Sequence, residues 1–114
     1  MIIDWQRINS FADPDSPEDQ EWLKGMIQDL ITDNDEKMSH LEALIQDPKQ
    51  EELRALLHQI KGVCANFGIV KMQSAAAEGE KSIKESKLEA GLNFAKELPA
   101  LWKEAKEELS KKYS

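Results

Sequence analysis

The sequence predicts an all-α protein, an antiparallel up-and-down four-helix bundle with a short N-terminal helix or arm. Apolar residues recur at steps of three and four through most of the 114 residues, which is the pattern of amphipathic helices. Four such segments follow one another with short connections, as in an antiparallel bundle. No alternating strand pattern competes with them.

The first element is the segment 1–11, which has enough apolar side chains for a short helix or for an arm over the core. They are Ile2, Ile3, Trp5, Ile8 and Phe11. Ser16 then provides a natural N-cap and Pro17 a first helical position, so a long helix is predicted over residues 17–46. Trp22 belongs to the apolar pattern of this helix, and its polar residues 32–37 are expected to bend or fray it.

The next helix is organised around residues 53–67. Asp47 and Pro48 are predicted to end the preceding helix and to start this one, with Gln50 at the spacing of a capping box. Gly68 directly follows the helical pattern and supplies a left-handed C-cap.

A third helix is predicted over residues 70–84, and its inward face is unusually small. This small face, which includes Gly79, indicates a close approach of a neighbouring helix, or room for Trp22 or Trp102 from a neighbour. Ser86 and Glu89 have the spacing of another capping box, so the connection to the last helix is very short. Pro99 lies inside the last helical pattern and is expected to kink it or to mark a break.

Length and composition limit the classes of function. The chain is long enough for one domain, predicted over residues 1–114, and too short for two. A net charge of −7 argues against nucleic acid as a partner, because phosphate contacts need a basic surface. No apolar run reaches membrane length and no signal-peptide pattern is present, so a cytoplasmic protein is expected. The chain is also expected to be a monomer. The Met1 start favours a stand-alone protein.

His58 is the residue that points to a function. The apolar stripe of its helix comprises Leu53, Leu56, Leu57, Ile60, Val63, Cys64 and Phe67. His58 falls about 150° from the centre of this stripe, so its imidazole is predicted on the exposed face. Cys64 lies on the stripe and is interpreted as a small buried hydrophobe.

The neighbours of His58 indicate that a partner comes close to the ring. Ala55, Gly62 and Ala65 lie beside it and leave the surface low. Glycine inside a helix costs about 1 kcal/mol relative to alanine, which indicates a close approach at Gly62. Lys61 is three residues from the histidine, so its ammonium can reach a group attached to the ring. Replacing this lysine is expected to slow such chemistry with little effect on thermal stability.

Several kinds of chemistry lack their sequence signals. The other histidine, His40, has no helical spacing to His58 for a shared metal site, and no nucleophile elbow is present. No glycine-rich phosphate loop is present, so ATP binding and kinase activity of its own are not expected. What remains is the ring nitrogen as a nucleophile towards phosphorus, with another protein bringing the phosphoryl donor.

The motif around His58 resembles the signature of histidine-containing phosphotransfer (Hpt) domains. It runs from Leu57 to Gly62 as LHQIKG and continues from Ala65 to Gly68 as ANFG. The resemblance extends over the bundle from about residue 22 to residue 109. It implies that His58 accepts a phosphoryl group from a receiver-domain aspartate and gives it to another receiver.

The resemblance also implies roles for the residues near His58. Lys61 neutralises the phosphate, Gly62 leaves room for the partner, and the docking surface includes Ala55, Gln59 and Ala65. Glu80 matches a family glutamate that in chemotaxis-kinase relatives can hydrogen-bond the phosphorylatable ring. The chain departs from the family at Gly79, where many members carry leucine; Ala75 on the same helix is also small.

The implied partners are receiver domains of response regulators, a sensor histidine kinase, or both. No cofactor or metal is expected on this chain, and any magnesium would belong to the receiver. Three alternatives stay open: a phosphoacceptor domain loaded directly by a chemotaxis-type kinase, a receiver-binding adaptor that does not transfer phosphate, and a bundle whose exposed histidine has no function.

Overall fold

The computed structural model describes residues 1–113, in which the chain forms five α-helices and no β-strand. They are α1 (Trp5–Asn9), α2 (Pro17–Gln46), α3 (Gln50–Phe67), α4 (Val70–Lys84) and α5 (Leu88–Tyr113). The all-α prediction is confirmed. Residue 114, the last of the predicted domain, lies outside the described residues, and the extent of the domain stays a prediction.

The four long helices form a closed bundle. Helices α2 and α4 each pack against both α3 and α5, so every long helix has two neighbours in the ring. Very short segments join consecutive long helices, which makes them antiparallel. The bundle measures 49 × 21 × 19 Å, and its long dimension is close to the length of the 30-residue α2, about 45 Å at 1.5 Å per residue.

The N-terminal segment forms a lid on the turn between α3 and α4. Ile8 of α1 is fully buried in the core. The backbone N–H of Asp4 donates to the carbonyl of Gly68 at 2.7 Å, and the N–H of Val70 donates to the carbonyl of Ile2 at 3.1 Å. The predicted short helix or arm is therefore present, held by hydrogen bonds as well as by packing.

Two predicted helix caps are confirmed. The Ser16 side chain accepts a hydrogen bond from the N–H of Asp19 at 3.2 Å and so starts α2. Gly68 ends α3 with a φ of 70°, the left-handed conformation. A Cβ at Gly68 would lie 2.9 Å from the carbonyl oxygen of Asp4, so the close approach of the N-terminal segment also requires glycine.

The two predicted capping boxes are wrong. Helix α3 begins at Gln50 after Lys49, whose side chain makes no capping bond, while Asp47 ends α2. Ser86 has a φ of 63° and its N–H donates to the Ile83 carbonyl, so it closes α4 instead of starting α5. In such short connections, the residues that end one helix are not free to cap the next.

The polar residues 32–37 do not fray α2, which continues through them. Asn34 is fully buried, and the two carboxylate oxygens of Asp35 accept hydrogen bonds from Trp102 Nε1 at 2.8 Å and from Lys106 Nζ at 2.7 Å. Asp35 therefore connects this polar stretch to α5, a contact that the helical pattern of α2 alone does not reveal.

Two further expectations concern a proline and a tryptophan. Pro99 lies inside α5, which continues through it as a single helix, so Pro99 does not mark a break. The other expectation, a kink at Pro99, stays a prediction. Trp102 is buried, whereas Trp22 is 56% exposed and contributes little to the core, contrary to its place in the apolar pattern. A tryptophan at the edge of an amphipathic face is buried only if a neighbouring helix reaches it.

Small residues allow α4 to approach α3 and α5 closely, as predicted from Gly79. A Cβ at Gly79 would lie 3.2 Å from Leu57 Cδ1 of α3. A Cβ at Gly91 of α5 would lie 3.2 Å from the Gly79 carbonyl oxygen and would overlap the side chain of Ile83. The two glycines therefore allow α4 to lie closer to α3 and α5 than larger residues would permit.

Gly91→Ala is expected to lower the free energy of unfolding by about 1–3 kcal/mol, because the added methyl group overlaps the buried, β-branched Ile83. Gly25→Ala is the matched control, since a Cβ at this position inside α2 meets no atom within 4 Å. That control should raise the free energy of unfolding by about 0.5–1 kcal/mol. Urea denaturation measures both; equal effects would contradict the close crossing of α4 and α5.

Candidate functional site

His58 lies on the outward face of α3, where the helical pattern predicts it. Its side chain is 62% exposed, whereas the adjacent Leu57 is fully buried. The predicted apolar stripe faces the core, with Val63 and Phe67 half-buried at its edge. The imidazole can therefore be reached from solvent while its helix remains fixed in the bundle.

The imidazole contacts Glu80 of α4. Its Nδ1 lies 2.8 Å from Glu80 Oε2. The Glu80 side chain is only 3% exposed, and Glu80 is the single charged residue buried in the part of the chain that the structure describes. An exposed ring is thus joined at one nitrogen to a buried carboxylate.

Two lysines also face this carboxylate. The ammonium of Lys61 on α3 donates to Glu80 Oε1 at 2.6 Å. Lys84 Nζ, one turn beyond Glu80 on α4, lies 3.6 Å from Oε2, which is an ion-pair distance but too long for a hydrogen bond. With one carboxylate and two ammonium groups, the cluster carries a net positive charge in a chain whose own net charge is −7.

The ionisation of Glu80 determines which nitrogen of His58 carries the proton. Burial alone would raise the pKa of the Glu80 carboxyl, but hydrogen bonds from Lys61 and His58 outweigh it and hold this pKa below its usual value of 4.5. Glu80 is therefore a carboxylate at neutral pH and only accepts hydrogen bonds. In the neutral imidazole the proton is then on Nδ1, which leaves the lone pair on Nε2.

A low surface surrounds the ring on the side away from Glu80. The predicted docking residues Ala55, Gln59, Gly62 and Ala65 are all exposed. A Cβ at Gly62 would meet no atom within 4 Å. The glycine therefore leaves open space on the surface, and packing inside the bundle does not require it. The structure thus brings the predicted site residues together, with Glu80 and Lys61 on one side of His58 and this docking surface on the other.

Lys84 is a site residue that sequence reasoning missed. A weak signal was available, because Glu80 and Lys84 have the i,i+4 spacing of a favourable helical pair. Such pairs are common on solvated helices, and the pair becomes informative only because Glu80 is buried.

Arg7 is a second residue near the site that the sequence did not indicate. Its Nε donates to the carbonyl of Asn66 at 2.8 Å, and its Nη2 donates to the Asn66 side-chain oxygen at 3.1 Å. Through these bonds α1 borders a shallow depression next to the docking surface. Its lining residues are Arg7, Gly62, Val63, Ala65, Asn66 and Phe67.

Other candidate groups remain outside the site. Cys64 is fully buried, and burial raises the pKa of its thiol to about 12, so the thiolate does not form at neutral pH. His40 is exposed on α2. No group of three or more metal-ligating side chains is arranged to hold an ion within residues 1–113, and no helix there is both long and apolar enough to cross a membrane.

The contact between Lys61 and Glu80 changes one expectation. Without Lys61, Oε1 of the buried carboxylate would lose the donor that now lies 2.6 Å away. A buried acceptor without a partner is destabilising. The small effect on thermal stability that the sequence predicts for Lys61→Ala is therefore no longer expected.

Glu80→Gln tests the ionised state of the carboxyl. Because its pKa in the folded protein lies below 4.5, ionisation stabilises the fold above that pH, and the contribution is lost as the pH falls through the folded-state pKa. Glutamine does not titrate, so the wild type should exceed the variant in free energy of unfolding by about 1–3 kcal/mol at pH 7. Urea denaturation should show this difference shrinking below pH 4.5. A pH-independent difference would contradict an ionised Glu80.

Comparison with known protein families agrees with this geometry. The profile of the Hpt domain family matches residues 25–110, well over half of the 114-residue chain. The match covers all of α3 and α4 and most of α2 and α5. Neither a curated protein nor a solved structure matches the chain significantly.

The family match confirms the resemblance that the motif around His58 predicted. Hpt domains act in histidine phosphotransfer in two-component signalling, where they interact with receiver domains and kinases. The matched segment contains His58, Lys61, Gly62 and Glu80. The sequence profile and the helical bundle together show that the chain belongs to the Hpt domain family.

Proposed function

We propose that this protein is a phosphotransfer protein of a multistep phosphorelay. His58 accepts a phosphoryl group from the aspartate of one receiver domain and passes it to another. The contact between His58 Nδ1 and the buried Glu80 supports this most directly, because it leaves the lone pair on Nε2 of an exposed ring. A cytoplasmic, monomeric protein is part of the proposal, as the sequence predicts.

The positions of these groups support the following reaction. The Nε2 lone pair attacks phosphorus, and the bond between phosphorus and the receiver's aspartate oxygen breaks, with its electrons remaining on the aspartate carboxylate. The ring keeps its proton on Nδ1 and becomes positively charged, which the Glu80 carboxylate stabilises. Lys61 neutralises the phosphoryl oxygens, which is the main requirement of phosphoryl transfer besides positioning.

The surface beside the ring favours a protein as the donor. Four exposed residues with short or flexible side chains, Ala55, Gln59, Gly62 and Ala65, form a low area into which receiver loops can settle. This chain then supplies the nucleophile and the counter-charges. Any magnesium is held by the receiver, and no cofactor is needed on the bundle.

Direct loading by a chemotaxis-type histidine kinase is the second candidate function. The observation that favours it is the carboxylate of Glu80 at 2.8 Å from the ring, the contact implied by resemblance to chemotaxis-kinase relatives. The two functions use the same nitrogen and differ in the donor. Incubation of the protein with phosphorylated receivers, and separately with a kinase and ATP, distinguishes them.

His58→Gln is expected to abolish phosphoryl acceptance, because glutamine has no nucleophilic nitrogen at the position of Nε2. The protein is incubated with receiver domains previously phosphorylated by acetyl phosphate, and the product is analysed at neutral pH by mass spectrometry. His40→Gln, at the other exposed histidine, is the matched control and should accept phosphate normally. Acceptance by His58→Gln would show that the site is wrong, and a wild type that binds receivers without accepting phosphate would favour the adaptor.

Gly62→Gln should slow transfer from a phosphorylated receiver by up to about a hundredfold, because the added side chain displaces the partner and a shift near 1 Å is that costly. The same change should raise the free energy of unfolding by about 0.5–1 kcal/mol, since the new side chain enters open space. Timed transfer and urea denaturation measure the two effects.

Two controls make this result specific to docking. Gly25→Gln places the same side chain in open space on α2, outside the docking surface, and should leave transfer unchanged. Phosphoramidate, a small donor that needs no docking surface, should phosphorylate Gly62→Gln as fast as the wild type. Normal transfer from receivers to Gly62→Gln would place the partner elsewhere.

A further inference from the structure

Lys61 cannot serve two anions equally well. In the unphosphorylated protein its ammonium is bound to Glu80 Oε1 at 2.6 Å. During transfer the phosphoryl group on His58 needs a cation, and Lys61 is the lysine of α3 that reaches the ring. When Lys61 turns towards phosphate, Oε1 of a carboxylate that is only 3% exposed loses its donor, and solvent has little access to replace it.

Lys84 is placed to compensate for that loss. Its Nζ lies 3.6 Å from Glu80 Oε2, and its side chain is 55% exposed, so it can shift without repacking the core. At this distance it contributes charge but no hydrogen bond. A small movement towards Glu80 would bring its ammonium within hydrogen-bonding distance of the carboxylate.

We propose that Lys84 is a positioning residue of the phosphotransfer site, which becomes the lysine counter-ion of Glu80 when Lys61 moves to the phosphoryl group. The inference rests on the proposed function and assigns one lysine to each anion of the phosphorylated site. Lys61 binds the phosphoryl oxygens, and Lys84 keeps Glu80 ionised and in contact with Nδ1.

Charge is conserved in the step that drives this exchange. The neutral ring forms a bond from Nε2 to phosphorus as the aspartate oxygen leaves with its electron pair. The ring gains one positive charge, the phosphoryl group keeps its two negative charges, and the receiver's aspartate regains its carboxylate. No proton leaves Nδ1, so Glu80 must stay ionised throughout the step, and that is the condition Lys84 maintains.

The test compares variants of Lys84 with a matched lysine. Lys84→Met should slow acceptance on His58 about three- to tenfold. Loss of a fully buried lysine would slow it more, but Lys84 is half exposed. Lys84→Arg keeps the charge and should restore the rate to within about twofold of the wild type. Lys81 also lies in the last turn of α4 but forms no ion pair within residues 1–113. Lys81→Met removes the same charge as Lys84→Met and should transfer normally.

A second pair of variants separates exchange of lysines from a general charge effect. If Lys84 acts by replacing Lys61 on Glu80, Lys84→Met should slow the reaction more in a Lys61→Ala background than in the wild type, because no lysine is then left to keep Glu80 ionised. A lysine that merely attracts phosphate would slow the reaction equally in both backgrounds. Because the exchange takes place at the ring, the slowing should appear with phosphoramidate as well as with a phosphorylated receiver.

The outcomes are distinct from those that test the function itself. A wild type that accepts no phosphoryl group on His58 overturns the proposed function and this inference with it. If the wild type transfers phosphate and the Lys84→Met variant does so at the same rate, only the proposed role of Lys84 is overturned. Equal slowing in the presence and absence of Lys61, or failure of Lys84→Arg to restore the rate, also overturns it.

Discussion

The site depends on one constraint, which is that the buried carboxylate of Glu80 must be paired with cations and hydrogen-bond donors. Two of its partners, His58 and Lys61, come from α3, and they can reach it only in one register of α3 against α4. Gly79, next to Glu80 in sequence, lets the two helices approach closely enough, with Leu57 Cδ1 3.2 Å from the position of its absent Cβ. The same pairing therefore aligns two helices, orients the imidazole and selects its tautomer.

The two nitrogens of the ring face different environments. Nδ1 is turned towards the buried carboxylate and its lysines, so its protonation is determined by the interior of the protein. Nε2 belongs to the exposed part of the ring, beside the low surface at Gly62. A partner therefore needs access to one side of the ring only, and variation on the docking surface can change which partners bind while the charges around Glu80 stay the same.

Several features that the sequence predicted correctly depend on contacts within one element. The exposure of His58, the left-handed Gly68 and the cap at Ser16 all follow from spacing along a single helix. The features that it missed depend on contacts between helices. Asp35 contacts α5, and the ion pair of Lys84 with Glu80 matters only because α3 and α5 bury this part of α4. Periodicity along one helix does not specify such a register between helices. Glu80 itself was identified only through family resemblance.

The hydrogen bonds of the N-terminal segment have a consequence for where the folding unit begins. The family match starts at residue 25, yet the carbonyl of Gly68 and the N–H of Val70 are paired with residues that precede it. A fragment cut at the family boundary would expose those two backbone groups together with the apolar surface that covers Ile8. The cooperative unit is thus larger than the segment by which the family is recognised, and the turn at the end of the phosphoacceptor helix belongs to both.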